Sequence, residues 1–219
     1  MILAIFDLDN TLIAGDSDHS WGQFLVDNKL VDAGEYQACN DQFYRDYENG
    51  ELDINAYLRF SLQPLMRYSQ EQLAVFHRRF MHEIITPLRL EKAEKLLAEH
   101  RQQGHYLLII TSTNGFITKP IAQALGVDHI LATDAEMIKG QYTGEIAGTP
   151  CYQEGKIVRF NAWLQDSGMR AEGAYFYSDS INDLPLLKVV DHPVAVDPDD
   201  ALRAEANARG WKIISLRDA

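Results

Sequence analysis

Two aspartates separated by a single residue follow a short apolar segment near the start of the chain. Residues 2–6 are typical of a buried parallel strand, and Asp7 and Asp9 come directly after them. Alternate residues of an extended segment lie on the same side, so both carboxylates can face one site. Carboxylates beside an apolar strand are costly unless a cation neutralises them, and Mg²⁺ is the hard, oxygen-seeking cation that suits them. The pattern therefore predicts a magnesium site at the carboxyl end of a strand, where open α/β sheets bind ligands.

Polar residues also follow a second predicted strand, at 105–111. Thr111, Ser112 and Asn114 stand at the end of this strand, just before a predicted helix that begins at Phe116. Hydroxyl groups and free backbone N–H groups at a helix N-terminus bind anions. The segment is therefore a candidate phosphate site, although serine and threonine also act as ordinary helix caps at such positions.

Two more clusters of the same kind lie further along the chain. Lys156 falls in the first turn of a predicted helix, and Asp179, Asn182 and Asp183 follow a predicted strand. Two acids with an asparagine between them suit a metal ion and a phosphate oxygen. Taken singly, a solvated lysine or an aspartate cap explains each feature as well. All of these residues lie at the ends of predicted strands or at the starts of predicted helices, and this shared position favours one common site.

Alternating strands and helices are predicted to position these residues. Apolar strand segments occur at 2–6, 105–111, 129–133, 174–178, 193–196 and 211–214. Helical patterns separate most of these segments, and Lys139-Gly140 predicts a hairpin over 136–146. Such alternation is typical of βαβ units. We therefore predict an α/β fold with a doubly wound, mainly parallel, Rossmann-like sheet.

The chain between the first two strands has a different pattern. From Trp21 to about Ile85 the apolar residues are spaced as in helices, and Ser69 with Gln72 forms a capping box. We therefore predict two parts. An α/β catalytic core comprises residues 1–14 and 86–219, and a helical cap of residues 15–85 is inserted into it.

Composition narrows the class of protein. The 219 residues carry a formal net charge of −12, which argues against nucleic acid or an anionic membrane as a partner. The two cysteines, Cys39 and Cys151, are too few for a disulfide framework or a thiolate metal site. The sequence shows neither a basic signal-peptide start nor an apolar run long enough to span a membrane. We therefore expect a cytoplasmic protein, and leave its oligomeric state open.

The order of these residues resembles a known family. Asp7 and Asp9 stand in a segment that matches the first signature, D-x-D-x-T, of the haloacid dehalogenase-like hydrolases. Thr111, Lys156 and the segment 179–183 resemble the other three signatures, in the same order and with a plausible spacing. The resemblance covers essentially the whole chain. It is closest to the phosphoserine phosphatase branch, which has a helical cap inserted after the first signature.

The resemblance implies a Mg²⁺-dependent phosphatase acting on a small phosphate ester, with a role for each matching residue. Asp7 would be the nucleophile that forms an aspartyl-phosphate, and Asp9 the general acid and base. Lys156 would neutralise charge, and Thr111, helped by Ser112 or Asn114, would hold phosphate oxygens. The implied Mg²⁺ ligands are the Asp7 carboxylate, the Asp9 backbone carbonyl and Asp179, with Asp183 bound directly or one layer out. Asn182 would contact phosphate or bound water.

Residues near the first signature bear on the leaving group. Asp16 matches the acid that holds the substrate amine in phosphoserine phosphatases, and Asp18 is a neighbouring candidate. Ser61 stands where that branch has an arginine for the substrate carboxylate, and Arg59 would lie on a different helix face. The sequence thus has the acid that would hold a substrate amine but lacks the arginine that would hold a carboxylate. This combination favours histidinol phosphate or a related amino-alcohol phosphate as the substrate, with an amino-acid phosphate such as phosphoserine as the other possibility.

Two rival functions remain open. A phosphotransferase would pass the phosphoryl group from Asp7 to an alcohol, with an identical first half-reaction. A non-catalytic phosphate-binding regulatory module would keep the fold without the chemistry. The second rival is disfavoured by Asp9, which the acid–base steps need and binding alone does not.

Overall fold

The computed structural model describes residues 1–217 and contains one seven-stranded sheet in the order β4-β3-β2-β1-β5-β6-β7. The strands are β1 (Leu3–Phe6), β2 (Tyr106–Asn114), β3 (His129–Ile138), β4 (Gln141–Ala147), β5 (Tyr175–Ser178), β6 (His192–Val196) and β7 (Lys212–Ile214). All pairs are parallel except β3 with β4, which form the predicted hairpin. The predicted doubly wound, mainly parallel fold is thereby confirmed.

Helices connect the strands on both faces of the sheet. They are α1 (Ser17–Asp27), α2 (Ala33–Glu48), α3 (Ile54–Leu62), α4 (Gln70–Phe80), α5 (Thr86–Leu88), α6 (Glu91–Gln102), α7 (Gly115–Leu125), α8 (Glu154–Ser167), α9 (Leu184–Leu187) and α10 (Asp200–Arg209). Two 3₁₀ turns cover Gln63–Arg67 and Ile181–Asp183, and a π-helical turn covers Met81–Ile85. Within residues 1–217, no helix combines the length and apolar character needed to cross a membrane.

The central strand β1 carries the site. All four of its residues are buried, because both faces of the sheet are covered by helices. It pairs with β2 on one side and β5 on the other, so the winding direction of the chain reverses beside it. A crevice opens at the carboxyl ends of the strands at such a reversal. Asp7 and Asp9 therefore emerge into a crevice that the topology itself creates.

Two strands run further than the sequence predicts. β2 continues from Thr111 to Asn114, and β3 continues past Thr133 into the hairpin. The register between them shifts from Ile110 to Asn114, which is an irregularity of the kind that bends a strand near an active site. The predicted strand end at Thr111 is therefore corrected to a bulged strand that ends three residues later.

The segment between β1 and β2 consists of helices joined by turns, with one isolated bridge between Ile13 and Arg89. Four of its helices begin at side-chain caps, with Asp16, Asp32 and Asp53 capping the first three, and the predicted capping box of Ser69 opening α4.

Helices α1 and α4 pack against the core through one aromatic group. The Trp21 ring contacts the rings of Phe24, Phe80 and Phe116, the last of which lies on α7. Helix α2 buries a single residue, Asn40, so it is not part of this packing. The helices α2 and α3 instead form the outer wall of the crevice.

Candidate active site

Three charged side chains from distant parts of the chain meet at the end of β1. The Lys156 Nζ lies 2.8 Å from Asp7 Oδ1 and 2.6 Å from Asp183 Oδ1. The lysine is 2 % exposed, so the alternative of a solvated lysine does not hold. Burial alone lowers the pKa of Lys156, but the two carboxylates outweigh it and hold that pKa above its usual value. The ammonium group therefore stays charged between two aspartates.

The start of α8 is shaped to deliver this lysine. Gln153 precedes the helix with a positive φ of 48°, which turns the chain sharply into its first turn. A side chain at Gly155 would collide with the backbone carbonyl of Pro150, so only glycine allows this close approach. The first-turn position of Lys156 opposes the helix dipole, and the ion pairs with Asp7 and Asp183 offset that cost.

Asp179 lies beside this cluster and is held by the threonine of the first signature. Thr11 Oγ1 donates to Asp179 Oδ1 at 2.9 Å. Burial, followed by the charge of Asp7, raises the pKa of Asp179. Burial also raises the pKa of Asp7, to about 7, although Lys156 opposes the shift. Asp183 in turn accepts from the Ser178 hydroxyl at 2.7 Å.

The acids outnumber the cations at this point. Three carboxylates, those of Asp7, Asp179 and Asp183, face one ammonium group, which leaves a deficit of positive charge. Within residues 1–217 no three His, Cys, Asp or Glu side chains are arranged to share one ion. Any ion here would have to complete its coordination with backbone oxygens and water.

The carboxylate of Asp9 is fixed on both of its oxygens. The Ser17 N–H donates to Oδ1 at 2.7 Å, and the Thr113 hydroxyl donates to Oδ2 at 2.8 Å. Burial, followed by the charge of Asp16, raises the pKa of Asp9 to about 7. A carboxyl group with this pKa exchanges its proton near neutral pH. Thr113 was not among the residues predicted from the sequence, and its hydroxyl type in the T-S-T segment was the available signal.

The predicted phosphate-binding residues separate into two groups. Ser112 lines the crevice together with Thr113. Thr111 is 1 % exposed, and its hydroxyl oxygen accepts the N–H of Thr113. Asn114 caps α7 by accepting the N–H of Ile117. The structure thus brings Ser112 to the crevice and gives Thr111 and Asn114 structural hydrogen bonds, because β2 continues beyond the predicted strand end.

Asn182 makes contacts that the sequence did not predict. Its Nδ2 donates to the Tyr47 carbonyl at 3.1 Å, and its Oδ1 accepts from the Tyr152 hydroxyl at 3.2 Å and from Gln153 Nε2 at 3.1 Å. The amide therefore joins the end of α2 to the segment that carries Lys156. We call these four residues the latch. The observed hydrogen bonds of Asn182 are those of the latch, and its contact with phosphate or bound water stays a prediction.

The crevice extends from the aspartates into the helical insertion, with a volume of about 510 Å³ that includes its open mouth. Its lining beyond the strand ends is mostly aromatic and apolar, comprising Phe43, Tyr44, Tyr47, Leu52, Ile54 and Tyr57. The remaining lining residues are Asp7, Asp9, Asp16, Asp18, His19, Asn40, Ser112 and Thr113. The described lining therefore contains four aspartates and no lysine or arginine.

The two further aspartates differ in how they are held. Asp16 caps α1 by accepting the His19 N–H at 2.7 Å, and partial burial raises its pKa to about 6. Asp18 is 6 % exposed, and the nearby Tyr57 hydroxyl lowers its pKa. Its Oδ1 has no hydrogen-bond partner among residues 1–217. Burial, followed by the charge of Asp16, raises the pKa of Asp18.

The arginine position of the phosphoserine phosphatase pattern lies away from the crevice. Ser61 is buried, and its hydroxyl donates to the Leu58 carbonyl at 3.4 Å. Arg59 lies instead in a surface depression shared with Gly144 and Glu145. Neither residue supplies a cation to the crevice.

Known proteins resemble the chain over nearly its full length. A family model described as haloacid dehalogenase-like hydrolase matches residues 4–188. The histidinol-phosphatase of Neisseria meningitidis serogroup C (strain 8013) is 50% identical over 219 residues, which cover 98% of this chain and 99% of that protein.

Solved structures share the fold. A crystal structure of a protein with unknown function from Bordetella pertussis Tohama I has a TM-score of 0.93 and 42% identity, and the match covers 98% of each chain. A substrate-bound phosphoserine phosphatase has a TM-score of 0.72 at 18% identity, covering 97% of this chain and 92% of that one. At this low identity the likeness extends to the fold alone.

Proposed function

The chain belongs to the haloacid dehalogenase-like hydrolases and is a phosphomonoester hydrolase, and we propose that it hydrolyses histidinol phosphate with Mg²⁺ through an aspartyl-phosphate on Asp7. The observation that carries the choice of substrate is the charge of the crevice. Beyond the phosphate end, Asp16 and Asp18 line it without a lysine or arginine among the described residues. Such a wall favours a cationic alcohol and disfavours one that bears a carboxylate. The name of the Neisseria relative supports the same substrate.

We propose the predicted division into domains with one refinement. Residues 1–14 and 86–219 form the catalytic core, and residues 15–85 form the cap. Within the cap, α1, α4 and the end of α3 at Leu62 share an apolar cluster with the core, which supports treating them as a fixed base. The part that admits the substrate is then α2 with the start of α3, which line the crevice.

The donor set fits Mg²⁺. Carboxylate oxygens of Asp7 and Asp179 and the backbone carbonyl of Asp9 would hold it, and Mg²⁺ keeps several waters in such sites. Asp183 is engaged by Lys156 and Ser178, so it would act one layer out. When bound, the ion supplies positive charge that offsets the repulsion between Asp7 and a dianionic phosphate.

In the first step Asp7 attacks phosphorus. A carboxylate oxygen of Asp7 forms a bond to phosphorus while the bond from phosphorus to the alcohol oxygen breaks. Asp9, in its acid form, gives its proton to the departing alcohol oxygen. Lys156 neutralises charge beside Asp7, and the hydroxyl of Ser112, which lines the crevice, would donate to a phosphoryl oxygen.

In the second step water replaces the enzyme at phosphorus. Asp9, now a carboxylate, takes a proton from water, whose oxygen bonds to phosphorus as the bond to Asp7 breaks. Inorganic phosphate is released, and Asp7 and Asp9 return to their starting forms. The two hydrogen bonds from Ser17 and Thr113 keep Asp9 in one place for both proton transfers.

Phosphate release from a substrate panel tests the proposal. The panel is histidinol phosphate, phosphoserine, sugar phosphates, nucleotides and 4-nitrophenyl phosphate, each with Mg²⁺. We expect histidinol phosphate to have the highest kcat/KM and Asp7→Asn to lose at least about 10³-fold, because the nucleophile is gone. Asp166→Asn, which neutralises an exposed aspartate on α8, is the matched control. Faster turnover of phosphoserine than of histidinol phosphate would contradict the substrate assignment, and transfer to added alcohols would indicate a phosphotransferase.

A further inference from the structure

Asp18 is a buried acid that the catalytic steps leave unused. It lines the crevice, is 6 % exposed, and keeps Oδ1 without a hydrogen-bond partner in the described chain. Leaving a buried carboxylate oxygen unsatisfied is costly, so a protein retains one where a ligand completes it. No cation of the described chain contributes to its pKa, which burial and the charges of Asp16 and Asp9 raise.

Asp16 and Asp18 differ in the groups whose pKa values they influence. Among charged groups, Asp16 raises the pKa of Asp9 the most. Asp18 instead has the largest charge effect on the pKa of Tyr57, a residue of α3. Asp16 is thereby associated with the reacting groups, and Asp18 with the helical wall of the crevice. On this division Asp16 would face the part of the alcohol nearest the phosphate, and Asp18 the distal part.

The walls around Asp18 are flat and apolar. The Tyr57 hydroxyl is close enough to Asp18 to lower the pKa of that acid, and the Phe43 ring contacts the Tyr57 ring edge to face at 5.4 Å. Leu52 and Ile54 line the same part of the crevice. An apolar, aromatic wall with one acceptor at its end suits a planar ring that carries an N–H group. A freely hydrated ammonium group gains less from such walls.

We propose that Asp18, supported by Tyr57, accepts a ring N–H of the leaving alcohol, so that Asp16 and Asp18 recognise two different donors. Asp16 recognises the amine nearest the phosphate ester, and Asp18 recognises the imidazole. This assignment rests on the proposed function and makes the substrate class more specific: an amino-alcohol phosphate with a distal heteroaromatic N–H.

Substrates that carry one or both donors test the assignment. Histidinol phosphate presents both, phosphoethanolamine presents the amine alone, and 4-nitrophenyl phosphate presents neither. They are compared in the wild type, Asp16→Asn, Asp18→Asn and Tyr57→Phe, all with Mg²⁺. Each substitution changes the shape of the side chain very little, and a thermal unfolding transition checks that each variant is folded.

We expect Asp18→Asn to lower kcat/KM for histidinol phosphate by about 10- to 100-fold, the range for losing a hydrogen bond to a charged group. The loss should appear in KM and be at least about tenfold larger than the loss on phosphoethanolamine. Asp16→Asn should affect both amine-bearing substrates, and Tyr57→Phe should reproduce the Asp18 pattern at a smaller size.

Equal losses on all three substrates would show that Asp18 only supports the fold of the crevice, and no loss on histidinol phosphate would show that it does not contact the ring. Either result overturns the inference while leaving the proposed function standing. A wild type that does not hydrolyse histidinol phosphate overturns both.

Discussion

The two ends of the crevice differ in how completely their carboxylates are partnered. At the phosphate end, Asp7 is paired with Lys156, and Asp9 accepts from Ser17 and Thr113. At the cap end, Asp16 is held by a backbone N–H, and Asp18 keeps one oxygen without a partner in the described chain.

We expect this difference to separate the groups that carry out the reaction from those that select the alcohol. Groups that must act on a transferring phosphoryl are fixed in advance, because reorganisation during the reaction slows it. Groups that select the alcohol remain incomplete until the alcohol binds, because unsatisfied acceptors reject molecules that lack the matching donor. The latch on Asn182 is the connection between the two ends.

The largest effect is expected at the phosphate end, from Lys156→Met. Removing the ammonium group leaves Asp7 and Asp183 buried without their cation, so activity should fall by at least about 10²-fold. The free energy of unfolding should fall by about 3–5 kcal/mol, as for other broken buried pairs. Denaturant unfolding without added Mg²⁺ and phosphate release measure the two losses.

The sign of the pH dependence checks the cause. The folded-state pKa of Asp7 is already raised to about 7, and removing Lys156, which opposes that shift, raises it further above the unfolded value. The added cost of folding with Asp7 charged therefore shrinks as the pH falls and Asp7 becomes protonated. The stability deficit of Lys156→Met should therefore be smaller at pH 4 than at pH 8. Lys188→Met, at an exposed lysine, is the control. A loss of stability that does not change with pH would show that lost packing, and not unpaired charge, destabilises the variant.

Next in size is the contrast between Ser112→Ala and Thr111→Val. Ser112 lines the crevice, so its loss should raise KM for every substrate by about tenfold or more, as expected for a hydrogen bond to a charged phosphate. Thr111→Val removes the acceptor of the Thr113 N–H, so it should cost about 1–3 kcal/mol of stability and change KM less. Equal increases in KM would restore the original prediction for Thr111.

At the cap end, the pKa of Asp16 gives a pH-dependent prediction. Its pKa is raised to about 6, so the carboxylate that attracts an amine is present above that pH and lost below it. The ratio of KM for phosphoethanolamine in Asp16→Asn to that in the wild type should therefore fall toward 1 below pH 6. Using this ratio cancels the titration of the substrate itself. A ratio that stays constant from pH 5 to 8 would exclude Asp16 as the amine acceptor.

The smallest effect is expected from loosening the latch with Tyr152→Phe. The change removes the hydroxyl that donates to Asn182 and accepts from Gln153. Losing these two neutral hydrogen bonds, at a net cost of about 1 kcal/mol, should lower kcat/KM by about fivefold, to a similar extent on all substrates. Amide exchange in α2 should become faster. Tyr106→Phe, at the start of β2 and thus at the opposite end of that strand from the crevice, should change neither quantity. An unchanged rate of amide exchange in α2 would show that the latch does not hold α2 in place.

Much of the fold followed from periodic patterns in the sequence. Apolar runs and capping residues predicted the strands and most helices, and the hairpin followed from Lys139-Gly140. The predicted element boundaries were wrong where the backbone is irregular. The bulge in β2 moves the strand end from Thr111 to Asn114, and the segment after Ser178 forms a 3₁₀ turn followed by the short helix α9.

Long-range hydrogen bonds could not be predicted in the same way. Thr113 meets Asp9 across 104 positions, and Asn182 meets Tyr47 across 135. No local spacing indicates either pair, because each depends on how far β2 extends and on where α2 ends over the crevice. The roles expected for Thr111 and Asn182 therefore remain predictions, while their observed partners are different from those expected.

The sequence by itself determined the alternating fold, the paired aspartates at the end of the first strand, and the order of the polar segments around them. These are consequences of local periodicity and of the rule that parallel strands end at one edge of a sheet. The tertiary structure alone decided that Lys156 is buried between two aspartates, that Ser112 reaches the crevice, and that Asp18 keeps an oxygen free of partners in the described chain. The physical reason is that burial and hydrogen-bond partnership depend on groups brought together by packing, which a local pattern does not contain.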